Sequence, residues 1–244
     1  MPDRWVQDRR NDAWTKQAKA GGYRARSAFK LKQIQERFEL LREDDSVLDV
    51  GCHPGGWAQV AVELVGHRGL VVGIDLLPCQ EVKGATLLVG DITDERTQEA
   101  VLEQIPGRHL NAVISDISPD ITGKWDIDQT VSLSLVAEVF DFGLPLLKSG
   151  GNMVAKLFQG VGVEEFIKCV KPHFTKVKRF APMSSRNSSS EVYLVCRNHV
   201  PWNAPPTGVR QRFEEMMDSR LGDSDVVESE PITTKFKVIK RKES

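Results

Sequence analysis

The sequence contains few cysteines, and none of them are paired at metal-binding spacing. Four occur in 244 residues, at positions 52, 79, 169 and 196, and no Cys-x-x-Cys pair is present. Three of the four lie in or beside apolar segments, the usual place for an unmodified thiol. The sequence therefore predicts neither a zinc site nor a disulfide framework, and we expect no metal.

A long hydrophobic run is also missing. No apolar stretch approaches the ~20 residues of a membrane span, and residues 1–10 are polar, without the apolar core of a secretory signal. With 40% hydrophobic residues, the chain has a globular composition and the length of one α/β domain plus some additional sequence. We expect a cytoplasmic protein with no membrane partner.

The dinucleotide-binding pattern Gly-x-Gly-x-x-Gly does not occur where a nucleotide cradle is indicated. Residues 47–57 read as a buried strand, a turn with Gly51, Gly55 and Gly56, and the start of a helix. Such a segment can hold a nucleotide-like ligand, because glycine has no Cβ to block the approach of the backbone. The looser spacing of Asp49, Gly51 and Gly55 is typical of folds that bind S-adenosylmethionine. A nicotinamide-dependent dehydrogenase is the weaker interpretation.

Two acidic residues follow the next two strand patterns. Residues 70–75 are apolar and end in Asp75, about 20 residues after the glycine turn, where a carboxylate commonly accepts hydrogen bonds from ribose hydroxyls. Residues 85–89 form a third strand pattern, and the following Asp91 would lie near an adenine. Either acid could instead be an ordinary strand-end or cap residue. Two acids at successive strand ends favour a ligand.

Strand and helix patterns alternate from residue 46 onward, which is typical of βαβ units. They predict a Rossmann-like α/β domain with a mainly parallel seven-stranded sheet and helices on both faces. A long helix is expected over residues 129–147, ended by Gly150 and Gly151. We expect a basic arm at 1–24, the domain at 25–200, and an appendage at 201–244 whose composition favours disorder.

The charge distribution suggests a nucleic-acid partner, although the net charge is only −1. Residues 1–33 carry nine Lys or Arg against three Asp, and residues 166–190 carry six against no acid. Together they could form one face that neutralises phosphates. Trp5, Trp14, Tyr23 and Phe29 lie within the first segment and could stack on bases. The alternative is a solvated helix whose aromatic side chains pack on the core.

Four charged residues are candidates for catalysis. Asp116 follows the strand pattern at 112–115, and Lys156 lies inside the apolar run at 153–158. Glu191 opens the last strand pattern, and Lys30 lies in a basic helix. Lysine is almost never fully buried without a partner, so Lys156 is unusual. Each residue alone could be an ion pair or a surface side chain. Four of them around the ligand edge of one sheet favour a reaction site.

The chain resembles the FtsJ/RrmJ-type ribose 2′-O-methyltransferases of RNA from about residue 4 to residue 196. The matching motifs are residues 23–31, 54–57, 75–78, 90–91, 115–116, 156–160, 184–186 and 191–193. The resemblance implies S-adenosylmethionine as the cofactor and a lysine–aspartate–lysine–glutamate catalytic set. By resemblance, the catalytic set is Lys30, Asp116, Lys156 and Glu191, and the cofactor contacts are Gly51, Gly55, Trp57, Asp75, Asp91 and Asp116.

The implied activity is methylation of a ribose 2′-hydroxyl, with a uridine of large-subunit rRNA as the leading substrate and a monomer as the expected state. A tRNA 2′-O-methyltransferase and an RNA-binding factor without catalysis are the alternatives. Our hypothesis is that Lys156 accepts the hydroxyl proton. The adjacent aspartate favours a charged lysine, whereas burial and cationic neighbours favour a neutral one, and the sequence leaves both open. Two departures from the family, Cys52-His53 and Asp120, do not affect the four residues.

Overall fold

The computed structural model describes residues 13–119, 125–185 and 190–222. Within these residues, seven strands and seven helices are the main elements. The strands are β1 (Ser46–Val50), β2 (Leu70–Asp75), β3 (Ala85–Val89), β4 (Leu110–Ser115), β5 (Leu147–Phe158), β6 (Phe174–Phe180) and β7 (Glu191–His199). The helices are α1 (Ala13–Ala20), α2 (Ser27–Phe38), α3 (Gly56–Val65), α4 (Glu95–Glu103), α5 (Trp125–Gly143), α6 (Val163–Val170) and α7 (Val209–Gly222).

The strands form one sheet in the order β3-β2-β1-β4-β5-β7-β6. Strand β7 runs antiparallel to both of its neighbours, and the other neighbouring pairs are parallel. The predicted α/β fold with a mainly parallel seven-stranded sheet is confirmed. Because β7 is reversed, its first residue lies at the same sheet edge as the last residues of β1, β4 and β5.

Helices cover both faces of the sheet, and two apolar clusters result. Helices α2 and α3 pack on one face through side chains such as Leu31 and Trp57, which join Val195 of β7. Helices α4 to α7 pack on the other face, where Phe166 joins Leu194. Successive residues of a strand point to opposite faces, which explains why Leu194 and Val195 belong to different clusters.

The prediction for the end of the long helix was wrong. Helix α5 ends at Gly143, and Leu147 already belongs to β5. Pro145 explains this, since helices usually end at or before the residue that precedes a proline. Gly150 and Gly151 lie inside β5, where the pairing with β4 shifts register, so they mark a bulge rather than a helix stop.

The segment after residue 200 also differs from the expected appendage, because residues 209–222 form the packed helix α7. Val209 and Phe213 are buried in the cluster with α5 and α6. Asp141 of α5 accepts hydrogen bonds from the backbone N–H groups of Val209 (2.6 Å) and Arg210 (3.1 Å), which caps the first turn of α7. The folded unit therefore extends at least to residue 222. The rest of the expected appendage, residues 223–244, lies outside the described residues.

The aromatic residues of the basic segment pack against one another. The ring of Phe29 lies 5.3 Å from that of Trp14 and 5.9 Å from that of Tyr23, measured between centroids. Ala18 of α1 is also buried. Tyr23 packs against the core cluster, as the alternative expects, whereas Trp14 and Phe29 are half-buried and contact each other. Trp5 and Asp120 lie outside the described residues.

Two general features concern ligands and membranes. In the part of the chain that the structure describes, no three or more His, Cys, Asp or Glu side chains are grouped as a metal site would require. Among the same residues, no helix has both the length and the apolar character needed to cross a membrane.

Candidate active site

The four charged candidates come together at the carboxyl edge of the sheet. Lys30 projects from α2, Asp116 follows the last residue of β4, Lys156 lies near the end of β5, and Glu191 is the first residue of β7. Strand pairing places Lys156 opposite Tyr193 and Phe158 opposite Glu191. Residues that are far apart in sequence thus form one cluster of two ion pairs.

The first pair joins Lys156 and Asp116. Lys156 Nζ lies 2.8 Å from the backbone oxygen of Asp116 and 3.4 Å from its Oδ1. The lysine side chain is only 6% exposed and that of Asp116 16%. The close contact with Asp116 explains how a buried lysine is accommodated in an apolar strand, because its charge has a partner.

The second pair joins Lys30 and Glu191. Lys30 Nζ donates to Glu191 Oε2 at 2.7 Å, and the lysine side chain is again 6% exposed. The same ammonium group lies 5.5 Å from the ring centroid of Tyr193. The tyrosine ring therefore lies beside the second pair while its hydroxyl reaches the first.

Tyr193 is a site residue that the sequence analysis did not single out. Its hydroxyl donates to Asp116 Oδ1 at 2.6 Å, and the residue is fully buried, with its ring 5.6 Å from that of Trp57. Burial, together with the neighbouring Asp116 carboxylate, raises the pKa of Tyr193 well above its usual range. The phenol therefore keeps its proton and donates a hydrogen bond to Asp116. Its position two residues after Glu191 on one strand was the available signal, because such residues share a face.

Asp116 stays ionised because its partners are cationic or donate hydrogen bonds. Burial acts to raise the pKa of its carboxyl, but Lys156, Lys30 and the hydrogen bond from Tyr193 outweigh burial, so the pKa lies below its usual value. The cluster thus contains a carboxylate that remains charged at neutral pH.

The glycine turn for which the sequence predicts a ligand cradle lies directly after β1. Gly51 has φ +81°, and a Cβ at this position would lie 2.6 Å from the Cα of Ile117. Gly55 has φ +108°, and a Cβ there would lie 2.6 Å from Nη1 of Arg24. Both positions require glycine for their backbone conformation and for the close approach of a neighbouring segment.

Asp49 of β1 lies within the core beneath this turn. It is fully buried, and neither carboxylate oxygen has a partner at ordinary hydrogen-bonding geometry. Burial and the nearby carboxylates of Asp116 and Asp75 raise its pKa well above the usual range, and the backbone N–H of Ala58 offsets this only in part. Such a buried carboxyl favours a neighbouring positive charge.

Asp75 and Asp91 lie at the ends of β2 and β3, as predicted, and both have local partners. Asp75 accepts backbone N–H groups of His53 and Leu77, each at 2.9 Å. Asp91 Oδ1 accepts from the backbone N–H and the hydroxyl of Thr93. The capping alternative is therefore realised for both residues. A carboxylate has about four lone-pair positions, so a ligand contact remains compatible with these bonds.

Trp57 and Arg24 hold the cradle in place. The Trp57 indole is buried and donates to the backbone oxygen of Ser27 at 2.8 Å, so a ligand contact from this residue would come from its backbone at the start of α3. Arg24 donates to the backbone oxygens of Pro54 (3.3 Å), Gln80 (2.6 Å) and Glu81. It therefore ties the glycine turn to the segment after β2. The sequence analysis had considered Arg24 only as part of a cationic segment.

Comparison with known proteins identifies the family. A family model described as FtsJ-like methyltransferase matches residues 23–199. The chain belongs to this family. The resemblance noted from the sequence motifs is thus confirmed at the family level, and the FtsJ-like chain is a methyltransferase.

Relatives of this FtsJ-like methyltransferase match it over most of their lengths. A ribosomal RNA large subunit methyltransferase E of Methanocaldococcus jannaschii is 39% identical over 224 residues, which cover 89% of this chain and 91% of the relative. A protein of the same name from Marinobacter nauticus is 40% identical over 195 residues, with coverages of 80% and 94%. A solved Plasmodium falciparum structure, described as a ribosomal RNA methyltransferase, has a TM-score of 0.65 at 24% identity and covers 72% of this chain and 98% of its own. That last likeness concerns the fold alone.

Proposed function

We propose that the protein transfers a methyl group from S-adenosylmethionine to a ribose 2′-hydroxyl of large-subunit rRNA, with a uridine as the target nucleotide. The main support is the cluster in which Lys156, Asp116, Lys30 and Glu191 form two buried ion pairs at the sheet edge. Relatives named rRNA large subunit methyltransferase E favour this substrate over tRNA. The proposed setting is a cytoplasmic monomer that acts on the large ribosomal subunit.

The residues present fit S-adenosylmethionine. The turn at Gly51 and Gly55 leaves no room for a Cβ, and the buried Asp49 carboxyl beneath it has no partner at ordinary hydrogen-bonding geometry among the described residues. A cationic ligand would favour the charged form of that carboxyl. Asp75 and Asp91 would hold the ribose and adenine end, and Gly51, Gly55 and the backbone of Trp57 would hold the methionine end. When bound, the cofactor supplies an activated methyl group.

Lys156 and Asp116 would act on the hydroxyl. A 2′-hydroxyl is a weak nucleophile and needs a group that takes or polarises its proton. The backbone oxygen and Oδ1 of Asp116 fix the position of Lys156 Nζ. Asp116 itself is held by the hydrogen bond from the Tyr193 hydroxyl. In this proposal Lys156, in its neutral form, accepts the proton, while Asp116 orients the lysine and contacts the cofactor.

Lys30 and Glu191 would position the substrate. Their 2.7 Å ion pair lies next to the ring of Tyr193, on the opposite side of the cluster from α5. Asp116 is bonded to Lys156 and Tyr193, whereas Lys30 donates to Glu191, so the proposal gives the second pair no direct role in proton transfer. They would instead hold the ribose in line with the methyl group, where orientation supplies much of the rate.

The test is methyl transfer from labelled S-adenosylmethionine to large ribosomal subunits, free rRNA and bulk tRNA in separate reactions. Label in subunits or rRNA, mapped to a ribose 2′-oxygen, is the expected result. Label in tRNA alone would retain the chemistry and contradict the substrate. Cofactor binding without label in any RNA would contradict the activity and favour an RNA-binding role.

A further inference from the structure

The outer strand of the sheet carries a row of cations on the face that contains the active site. We propose that Lys176 and Lys178 of β6, with Arg197 of β7, bind the phosphate backbone of the substrate RNA beside the target nucleotide. This inference rests on the proposed function and specifies the path of that substrate across the protein.

Strand register places this row on the same face as the catalytic cluster. Lys156 of β5 pairs with Tyr193 of β7, which pairs with Phe180 of β6. Paired residues of neighbouring strands point to the same face, and so do residues two apart on one strand. Lys178 and Lys176 precede Phe180 by two and four residues, and they pair with Val195 and Arg197. Their side chains therefore project on the side of the sheet that α2 and α3 partly cover.

The same register gives the separation of the row from the site. Two inter-strand steps place the Cα of Phe180 about 10 Å from that of Lys156. Each pair of residues along β6 adds about 7 Å, so Lys178 and Lys176 lie successively farther from the site. An RNA strand whose target ribose reaches Lys156 can thus continue across β7 and along β6 within a few nucleotides.

Lys176 and Lys178 are exposed, and none of the residues that line the cleft beside them is acidic. Lys171, Phe174, Thr175, Lys176, Val177 and Lys178 line a surface cleft of about 460 Å³. Among the described residues, no ion pair joins Lys171, Lys176 or Lys178 to a carboxylate, whereas Arg179, on the other face of the strand, pairs with Glu164 at 2.6 Å. Cations without acidic partners suit phosphate oxygens, and the outer edge of β6, which pairs with no other described strand, adds backbone N–H donors.

Lysines on an outer strand also prevent edge-to-edge pairing of sheets. The two roles differ in a measurable way. A phosphate contact releases counterions from the RNA, so its loss lowers the salt dependence of RNA binding. Protection of a strand edge has no such effect on RNA binding and would instead appear as self-association of the variant.

The test uses the full chain with Lys176→Gln and Lys178→Gln combined, and a large-subunit rRNA transcript as the probe. Binding is measured by fluorescence anisotropy over a series of salt concentrations. The slope of log K against log salt is expected to fall by about one for each lysine. The KM for RNA should rise several-fold, while kcat and the affinity for S-adenosylmethionine stay unchanged. The charge-conserving pair Lys176→Arg and Lys178→Arg should restore the slope.

The matched control removes the same charge elsewhere. Lys148 is exposed at the opposite end of β5 from Lys156, and Lys168 is exposed on α6, which covers the other face of the sheet. The pair Lys148→Gln and Lys168→Gln should retain the wild-type slope.

An unchanged slope in the β6 variant, or an equal loss in the control, would overturn the proposal. Loss of subunit methylation with normal binding of free rRNA would also overturn it, in favour of a protein partner. Wild-type protein that methylates no RNA would contradict the proposed function instead.

Discussion

At the scale of single residues, substitutions of Lys156 can distinguish a base from a fixed positive charge. Arginine at this position would keep the charge and could still bond to Asp116, but it cannot be deprotonated. If Lys156 accepts the hydroxyl proton, Lys156→Arg and Lys156→Ala should both lower kcat by about 100-fold or more. Single-turnover methyl transfer with saturating cofactor measures this. The affinity for S-adenosylmethionine, measured by calorimetry, should be unchanged in both. High activity of the arginine variant would show that the lysine supplies only charge.

The Tyr193 hydroxyl offers a second test, because it fixes Asp116 without belonging to an ion pair. Tyr193→Phe removes one hydrogen bond to a buried carboxylate and leaves the ring in its place against Trp57. A hydrogen bond to a charged group contributes about 1.5–3 kcal/mol, so kcat should fall about 10- to 100-fold. The KM for RNA should change little. Lower thermal stability with unchanged kcat would indicate a purely structural role for the hydroxyl.

The sequence could indicate Lys156 and Glu191 because a charged residue in an apolar strand is visible in one dimension. It could place Tyr193 on the same face of β7 as Glu191, but it could not show that the Tyr193 hydroxyl reaches Asp116, because that contact depends on the pairing of β7 with β5. Arg24 is a similar case. Its acceptors, the backbone oxygens at 54, 80 and 81, belong to two other loops, and no residue type marks a carbonyl as an acceptor.

At the scale of elements, Arg24 connects two loops that belong to different βα units. Arg24→Ala would remove the guanidinium donor from the backbone oxygens of Pro54, Gln80 and Glu81 and release the glycine turn from the segment after β2. We expect the affinity for S-adenosylmethionine to fall about tenfold, corresponding to one hydrogen bond of about 1.4 kcal/mol. Equilibrium dialysis with the labelled cofactor measures this directly. Arg37→Ala, an exposed arginine on α2, is the matched control and should bind normally. An effect on RNA affinity alone would assign Arg24 to phosphate binding.

Helix α7 provides a test of where the folded unit ends. Phe213 is 4% exposed and contacts the ring of Phe166, with 5.7 Å between centroids. Phe213→Ala should lower the free energy of unfolding by about 3–5 kcal/mol, as for other buried aromatic residues. Denaturant unfolding followed by circular dichroism gives the value. Glu215→Ala, at an exposed position of the same helix, should cost less than about 0.5 kcal/mol. Equal stability of both variants would mean that α7 does not belong to the core in solution.

Hydrophobic periodicity predicted the strands and most helices. The prediction failed where the same residue type, glycine, occurs both at helix ends and at bulges. The sequence predicts a helix stop at Gly150 and Gly151, whereas in the structure they form a bulge within β5. Pro145 was the better signal. The expectation of an appendage from residue 201 failed because the docking of α7 involves a cap from Asp141, 68 residues away in sequence. Such long-range caps have no local signature.

At the scale of the whole molecule, acid stability should depend on a histidine remote from the catalytic cluster. His173 precedes β6 and is 4% exposed, and neither ring nitrogen has a hydrogen-bond partner among the residues that the structure describes. Burial, assisted by the positive charge of Arg212, lowers its pKa from 6.5 to about 4. Between these two values the unfolded chain binds a proton that the folded chain does not bind. The free energy of unfolding must therefore fall as the pH decreases from 6.5 to about 4.

The size of this effect can be isolated by comparison with His173→Leu, whose side chain does not titrate. Asp49 acts in the opposite sense, since its raised pKa makes the folded state bind the extra proton. The total pH dependence is therefore a sum, and the difference between wild type and variant removes the shared contributions. We expect wild type to lose about 2 kcal/mol more than His173→Leu between pH 7 and pH 4, measured by urea unfolding at several pH values. Parallel curves would mean that His173 is protonated in the folded protein. In that case solvent or a carboxylate must reach the ring, and the packing of the turn before β6 would have to differ in solution.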